Sequence, residues 1–179
     1  ENKQLVDSLQ DKNIDKLIVY SPSDYLALSL LFERYEAKIE VTHLLEFISD
    51  YIDKFEDGPH KFDLVFQDPC LLSRWLGKTS IYDPLGRIPG VNLRSHPLSG
   101  QFTVCCGEYM WLINPMFAIR NAMERVKGLV HVGSNNIVVT CPNAFLMFKL
   151  AIELCDDCPK DIRIYDVSEI LLRVLGEET

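Results

Sequence analysis

A chain of 179 residues, 47% apolar and 25% charged, has the make-up of one globular domain with a sizeable core. Its formal net charge of −8 argues against nucleic acid or an anionic membrane as partner, because phosphate binding needs a dense basic face. No apolar run reaches the ~20 residues that span a bilayer: residues 25–32 are too few, and residues 144–154 carry Lys149.

Short apolar runs alternate with longer amphipathic ones, the pattern of βα units around a mostly parallel sheet with helices on both faces. In chain order we expect a helix over Asn2–Asp11, a strand over 16–20, a helix over 23–35, a strand over 38–41 and a helix over 42–55. Thr42 is the expected N-cap of the last of these, its hydroxyl accepting a first-turn N–H. A turn at 57–60 precedes a strand over 62–66, and a short helix opens over 68–73. Residues 79–97, with Pro84, Gly86, Pro89 and Gly90, read as mostly loop. A strand over 101–104 follows, then a helix over 107–127 that Pro115 ends or kinks. A strand over 136–140, a helix over Pro142–Leu154, a strand over 162–165 and a helix over 167–175 complete an α/β domain.

Residues 17–27 (L-I-V-Y-S-P-S-D-Y-L-A) resemble residues 137–147 (I-V-V-T-C-P-N-A-F-L-M), and residues 39–47 resemble 162–170. Such an echo is either the common look of βαβ units or a duplicated βαβα half, with about three residues inserted in the second copy. In both copies a proline stands at the first helical position, where a missing N–H costs little, so Ser21 and Cys141 become N-caps. At that place the helix end favours a thiolate on Cys141.

Cys70, Cys105, Cys106 and Cys141 form a spaced set, with 34 residues between Cys70 and Cys105 and 34 again between Cys106 and Cys141. Each segment follows an expected strand, and strand ends in a parallel sheet open on one edge, so four sulfurs can converge there. Consecutive strand residues point to opposite faces, so Cys105 and Cys106 must lie on a bend, which Gly107 supplies. Soft thiolates select zinc or iron–sulfur clusters, which fits a reducing, cytoplasmic compartment. Each of these cysteines taken singly also suits a small buried core residue.

Asp68-Pro69-Cys70-x-Leu72-x-Arg74, Tyr82-Asp83, Ile88-Pro89-Gly90-Val91, Cys105-Cys106-Gly107 and Cys141-Pro142 together resemble the cysteine-rich CCG domain. That domain occurs in the B component of heterodisulfide reductase and in the glycolate oxidase iron–sulfur subunit. The resemblance covers most of the chain, including Thr42-His43-Leu44-Leu45-Glu46. It implies an electron-transfer domain or subunit whose partners are flavin or iron–sulfur proteins, peripheral to a membrane-linked complex. It also implies Cys70, Cys105, Cys106 and Cys141 as the ligands of an iron–sulfur centre. The chain begins with Glu1 and resembles the later portion of a two-motif arrangement, so residues 1–179 read as one domain excised from, or half of, a longer protein.

The family pattern ends in Cys-Pro-x-Cys, whereas this chain has Cys141-Pro142-Asn143-Ala144, which leaves four thiolates. Four suit a [4Fe–4S] cluster or, as the alternative, a structural zinc in an interaction domain without redox activity. Glu108-Tyr109-Met110-Trp111 replaces a glycine-rich run, Gln67 stands where relatives carry His, and Ser21-Pro22-Ser23 lacks cysteines for a second centre.

Arg74 offers positive charge to an anionic cluster, and Asp68 is the expected cap of the short helix. Cys155 and Cys158 lie ~20 Å from Cys141 along the intervening helix and cannot join it, so we read them as structural. His43 and Glu46 read as a capped surface pair, and Trp75, Tyr109 and Trp111 as either a shield for the site or core. His60, His96 and His131 receive no role. No phosphate-binding glycine loop and no Gly-x-Ser-x-Gly elbow occurs.

Overall fold

The structure, a computed structural model, describes residues 2–56, 61–79, 81–156 and 158–176; the turn expected at 57–60, and His60 with it, lies outside them. The first part runs α1 (Asn2–Asp11), β1 (Lys16–Val19), α2 (Pro22–Arg34), β2 (Glu40–His43) and α3 (Leu44–Ser49). β1 and β2 pair in parallel as a two-stranded sheet, and Val6, Phe32 and Ile39 form a small core beside them. Thr42 does not cap α3. It lies within β2, and its hydroxyl donates to the Glu40 carboxylate at 2.8 Å.

The cap is His43, whose Nδ1 accepts from the Leu45 N–H at 3.3 Å while its own N–H donates to the Glu46 carboxylate at 3.1 Å. The strand therefore begins two residues later than its apolar pattern suggests. His43 is fully buried, not on the surface. Past Ser49 the helix gives way to a 3₁₀ turn at Ile52–Lys54.

The main sheet is wholly parallel, with β3 (Phe62–Gln67), β4 (Val91–Arg94), β5 (Asn136–Val139) and β6 (Arg163–Asp166) in the order β4-β3-β5-β6. Strand periodicity sends alternate residues to opposite faces, and both faces are covered. Leu64, Phe66, Val138 and Tyr165 pack with Leu45 and Ile48 of α3, Leu85 of α4 (Asp83–Gly86) and Ile170 of α7 (Val167–Val174). Val65, Ile137, Val139 and Ile164 pack with Ala122 and Val126 of α5 (Pro115–Val130) and Met147 and Phe148 of α6 (Pro142–Leu154).

The middle of the chain departs from the sequence expectation in four places. Residues 79–97 contain the one-turn helix α4 and the edge strand β4, both too short to show a period among the prolines and glycines. Residues 101–104 are no strand; a 3₁₀ turn at Gly100–Phe102 leads into irregular chain. The helix expected from residue 107 begins only at Pro115, capped by Asn114, whose Oδ1 accepts from the Phe117 N–H at 3.0 Å. Pro115 opens α5 at its first turn and does not kink it. Residues Leu71–Trp75 form a π-helical turn.

The echo between the two ends is a repeat of register. Leu17 pairs with Val41 and Val19 with His43; their counterparts Ile137 and Val139 pair with Ile164 and Asp166. Each first helix opens on proline behind Ser21 or Cys141. Each second helix is capped by the last residue of its strand, His43 or Asp166, with the Ser168 N–H donating to Asp166 Oδ1 at 2.8 Å.

Tyr20 ties these equivalent caps together. Its carbonyl accepts from His43 Nε2 at 2.9 Å, and its hydroxyl donates to the Asp166 carboxylate. Burial and then Asp166 raise the Tyr20 pKa, so the phenol stays a donor. Tyr20→Phe is expected to cost about 1.5–3 kcal/mol, the range for a hydrogen bond to a charged group. Urea unfolding should show a lower midpoint at unchanged slope.

Candidate metal centre

The order β4-β3-β5-β6 makes the sheet grow first from β3 to β4 and then, after a crossover, from β5 to β6. Connections part between β3 and β5, and the crevice at their carboxyl ends is where open α/β sheets bind ligands. Cys70 lies three residues past the end of β3, at the start of the π turn, and Cys141 lies two past the end of β5, as N-cap of α6. Cys105 and Cys106 arrive on the irregular connection between β4 and α5, not from a third strand end. All four cysteines are free, and all four line one cavity, together with Pro22 and Ser23 at the start of α2.

The adjacent pair reaches that cavity through the turn at Gly107. Its φ is +95°, and a Cβ there would stand 2.7 Å from the Ala118 carbonyl oxygen, so no other residue fits. The Gly107 N–H donates to Cys105 Sγ at 3.4 Å, and Asn121 Nδ2 of α5 donates to the Cys105 carbonyl at 3.0 Å. Gly107→Ala is expected to lower the melting temperature and to abolish metal uptake by the thiols, measured by thermal unfolding and metal analysis.

The thiols are linked by hydrogen bonds that centre on Cys105. Hydrogen bonds from Cys106 and then Cys70 hold the Cys105 pKa far below the ordinary thiol value, with the Gly107 and Glu108 N–H groups adding to the effect. The two donors are correspondingly pushed up. Cys141 does not follow the expectation for a helix N-cap. Burial raises its pKa, and the Glu108 and Cys105 charges add to this, outweighing the Asn143 and Ala144 N–H groups that favour its thiolate. The starts of α2 and α6 both border the cavity, so two positive helix ends face the thiols.

Behind the cysteines lies a buried polar group that the sequence pattern did not reveal: Gln67, Thr103, Arg125 and His96, with Asp68 beside them. The one sequence signal is Gln67 and Arg125, polar residues on otherwise apolar faces of β3 and α5. Asp68 does not cap the π turn; its carboxylate is buried without a side-chain partner, with only the Gly100 N–H and its own N–H favouring the charged form. Burial pushes its pKa up to about 6. Its proton is held more tightly in the folded chain than in the unfolded one. The resulting stability is full below pH ~4 and is lost as pH rises through about 6. Asp68→Asn is expected to remove that falling contribution, read as the difference between variant and wild-type unfolding free energies across this window.

Arg74 is exposed and borders a second, solvent-open cavity with Cys70, Cys105, Trp75 and Tyr109. Trp75 is 79% exposed, Tyr109 60% and Trp111 38%, so none of the three is core. Cys155 and Cys158 form a disulfide buried at the far end of α6, apart from the other four. Among the described residues, no three Cys, His, Asp or Glu side chains already surround a single point in a way that could hold one metal ion. The free thiols line one small cavity and hydrogen-bond to one another, with N–H groups directed at sulfur. That donor chemistry fits a group held by one sulfur per metal atom, as in iron–sulfur clusters.

No protein-family model matches the chain. Across 97% of its length, in a gapped alignment of 187 positions, it is 27% identical to the D component of the dihydromethanophenazine:CoB–CoM heterodisulfide reductase of Methanosarcina acetivorans. It is 24% identical over 143 residues, 78% of its length, to the B component of the fumarate reductase (CoM/CoB) of Methanothermobacter marburgensis. Across 96% of its length, in a gapped alignment of 188 positions, it is 22% identical to the EtfAB:quinone oxidoreductase of Syntrophomonas wolfei. The chain is related to redox proteins. It spans less than half the length of each, 44%, 28% and 26% respectively.

Proposed function

We propose that the chain is an electron-transfer domain or subunit of a heterodisulfide reductase-like oxidoreductase, with Cys70, Cys105, Cys106 and Cys141 holding an iron–sulfur cluster of the [4Fe–4S] type. The observation that carries this reading is the common cavity of the four free cysteines at the β3/β5 crevice. Similarity to three redox proteins supports it independently.

Such a cluster, when bound, takes up and releases single electrons. The chain's own residues do the rest. Gly107 turns the paired thiols inward, and the starts of α2 and α6 offset thiolate charge. Arg74, near Cys70 and Cys105, favours the reduced and more negative state. Trp75 and Tyr109, exposed beside the thiols, offer a contact face for flavin or iron–sulfur partner proteins. None of the described helices is long and apolar enough to cross a membrane.

A single zinc is the competing occupant. It needs all four sulfurs about 2.3 Å from one point, and metal analysis separates it from the cluster.

Anaerobic preparation followed by iron, sulfide and zinc analysis tests the reading. The expected result is a brown protein with broad visible absorption, iron and labile sulfide. Cys106→Ser should lose that iron and Cys158→Ser should keep it. A colourless protein with one zinc per chain, or iron that survives Cys106→Ser, would overturn it.

A further inference from the structure

Three of the four cysteines stand on two segments that no sheet or helix joins: residues 68–70 behind β3 and residues 103–106 ahead of α5. We propose that Gln67, held by the buried guanidinium of Arg125, is a positioning clamp that sets the distance between Cys70 and Cys105 and thereby the shape of the thiol cavity. Its consequence for a bound cluster rests on the reading above; the clamp itself does not.

Gln67 is 2% exposed and Arg125 4%. Gln67 Nε2 donates to the Asp68 carbonyl at 2.7 Å and to the Val104 carbonyl at 3.1 Å, and lies 3.3 Å from Thr103 Oγ1. The Thr103 hydroxyl donates to the same Asp68 carbonyl at 3.4 Å. One amide nitrogen thus grips the chain just before Cys70 and just before Cys105. Among the described residues, every side-chain hydrogen bond between the two segments, apart from that between the thiols themselves, runs through Gln67 or Thr103.

The amide has only one workable orientation. Its Oε1 accepts from Arg125 Nε at 2.6 Å; arginine only donates and carbonyls only accept, so a flipped amide would break both ends. Arg125 is itself held, donating from Nη2 to the Leu98 carbonyl at 2.9 Å and from Nη1 to His96 Nδ1 at 3.4 Å. His96 Nε2 donates to the Gly128 carbonyl at 3.1 Å, which leaves Nδ1 as the acceptor for Arg125 and for the Leu98 N–H. The clamp is therefore anchored to α5 at Arg125 and Gly128. The same helix backs the Cys105-Cys106-Gly107 turn through Ala118 and Asn121.

Gln67→Glu separates the arms of the clamp from its anchor. The variant keeps the Arg125 contact as an ion pair but sets a carboxylate oxygen, which donates nothing, against the Asp68 and Val104 carbonyls. The full metal-free chain is treated with diamide, which takes two electrons and two protons from a pair of thiols. Formation of the Cys70–Cys105 disulfide is followed by peptide mass spectrometry, with circular dichroism checking the fold. Closure is expected to slow roughly tenfold in Gln67→Glu, the scale of one lost hydrogen bond. A smaller slowing is expected in Thr103→Val, which removes one arm at similar volume and carries the test should Gln67→Glu not fold.

Anaerobic reconstitution supplies a second reading. Gln67→Glu should shift the midpoint potential of whatever iron it binds, while Gln67→Asn, which restores a donor on a shorter arm, should lie between the variant and wild type. Wild-type closure rates in Gln67→Glu and Thr103→Val would overturn the clamp, whether or not the wild type binds iron. Slowed closure in a chain that takes up no iron would keep the clamp and remove the cluster.

Discussion

A parallel sheet that extends first to one side and then to the other must part its connections once, and here the parting lies between β3 and β5. Everything at the candidate centre depends on that. Cys70 and Cys141 are far apart in the chain, yet they follow the carboxyl ends of neighbouring strands because Val65, Phe66 and Gln67 pair with Ile137, Val138 and Val139. Both faces of these strands are apolar and covered by helices, so a slip of one residue would send core side chains to the wrong layer. Hydrophobic burial thereby fixes the register, and the register fixes the spacing of two sulfurs.

The other two sulfurs are placed by a different kind of force. The connection from β4 to α5 has little regular structure of its own, and its backbone groups need partners wherever they are buried. Those partners come from α5 and β3: Asn121 for the Cys105 carbonyl and Gln67 for the Val104 carbonyl. Gly107 then allows the chain to pass within van der Waals range of α5. A buried polar network costs stability unless its members are satisfied, and Gln67, Arg125 and His96 satisfy one another's donors and acceptors in one arrangement. Asp68, buried without a side-chain partner, is the exception.

The repeated βαβα register adds a second level of order. Ser21-Pro22 and Cys141-Pro142 occupy matching caps, and both helix starts border the thiol cavity. Two positive helix ends thus face one site, and only one of the two matching caps carries a cysteine. Tyr20 joins the copies at their other pair of caps, its carbonyl holding His43 and its half-buried side chain holding Asp166.

The sequence by itself determined the α/β class, the helix at Pro142–Leu154, the likeness of two βαβα stretches and the glycine bend after the paired cysteines, and it offered the four thiols as one candidate set. These are local matters: periodicity, proline and glycine geometry, and the affinity of sulfur for soft metals act over a few residues. Element limits were lost where a residue type did an unusual job, as with His43 in place of Thr42 at a helix cap, or where four-residue elements hid among prolines, as in α4 and β4. Only the tertiary structure decided that residues 103–106 approach the site as a loop, that Gln67 and Arg125 stand behind it, and that burial outweighs the helix end at Cys141. The reason is one of range. Desolvation and hydrogen bonds between distant segments depend on which surfaces the packed core brings together, and no short window of sequence carries that.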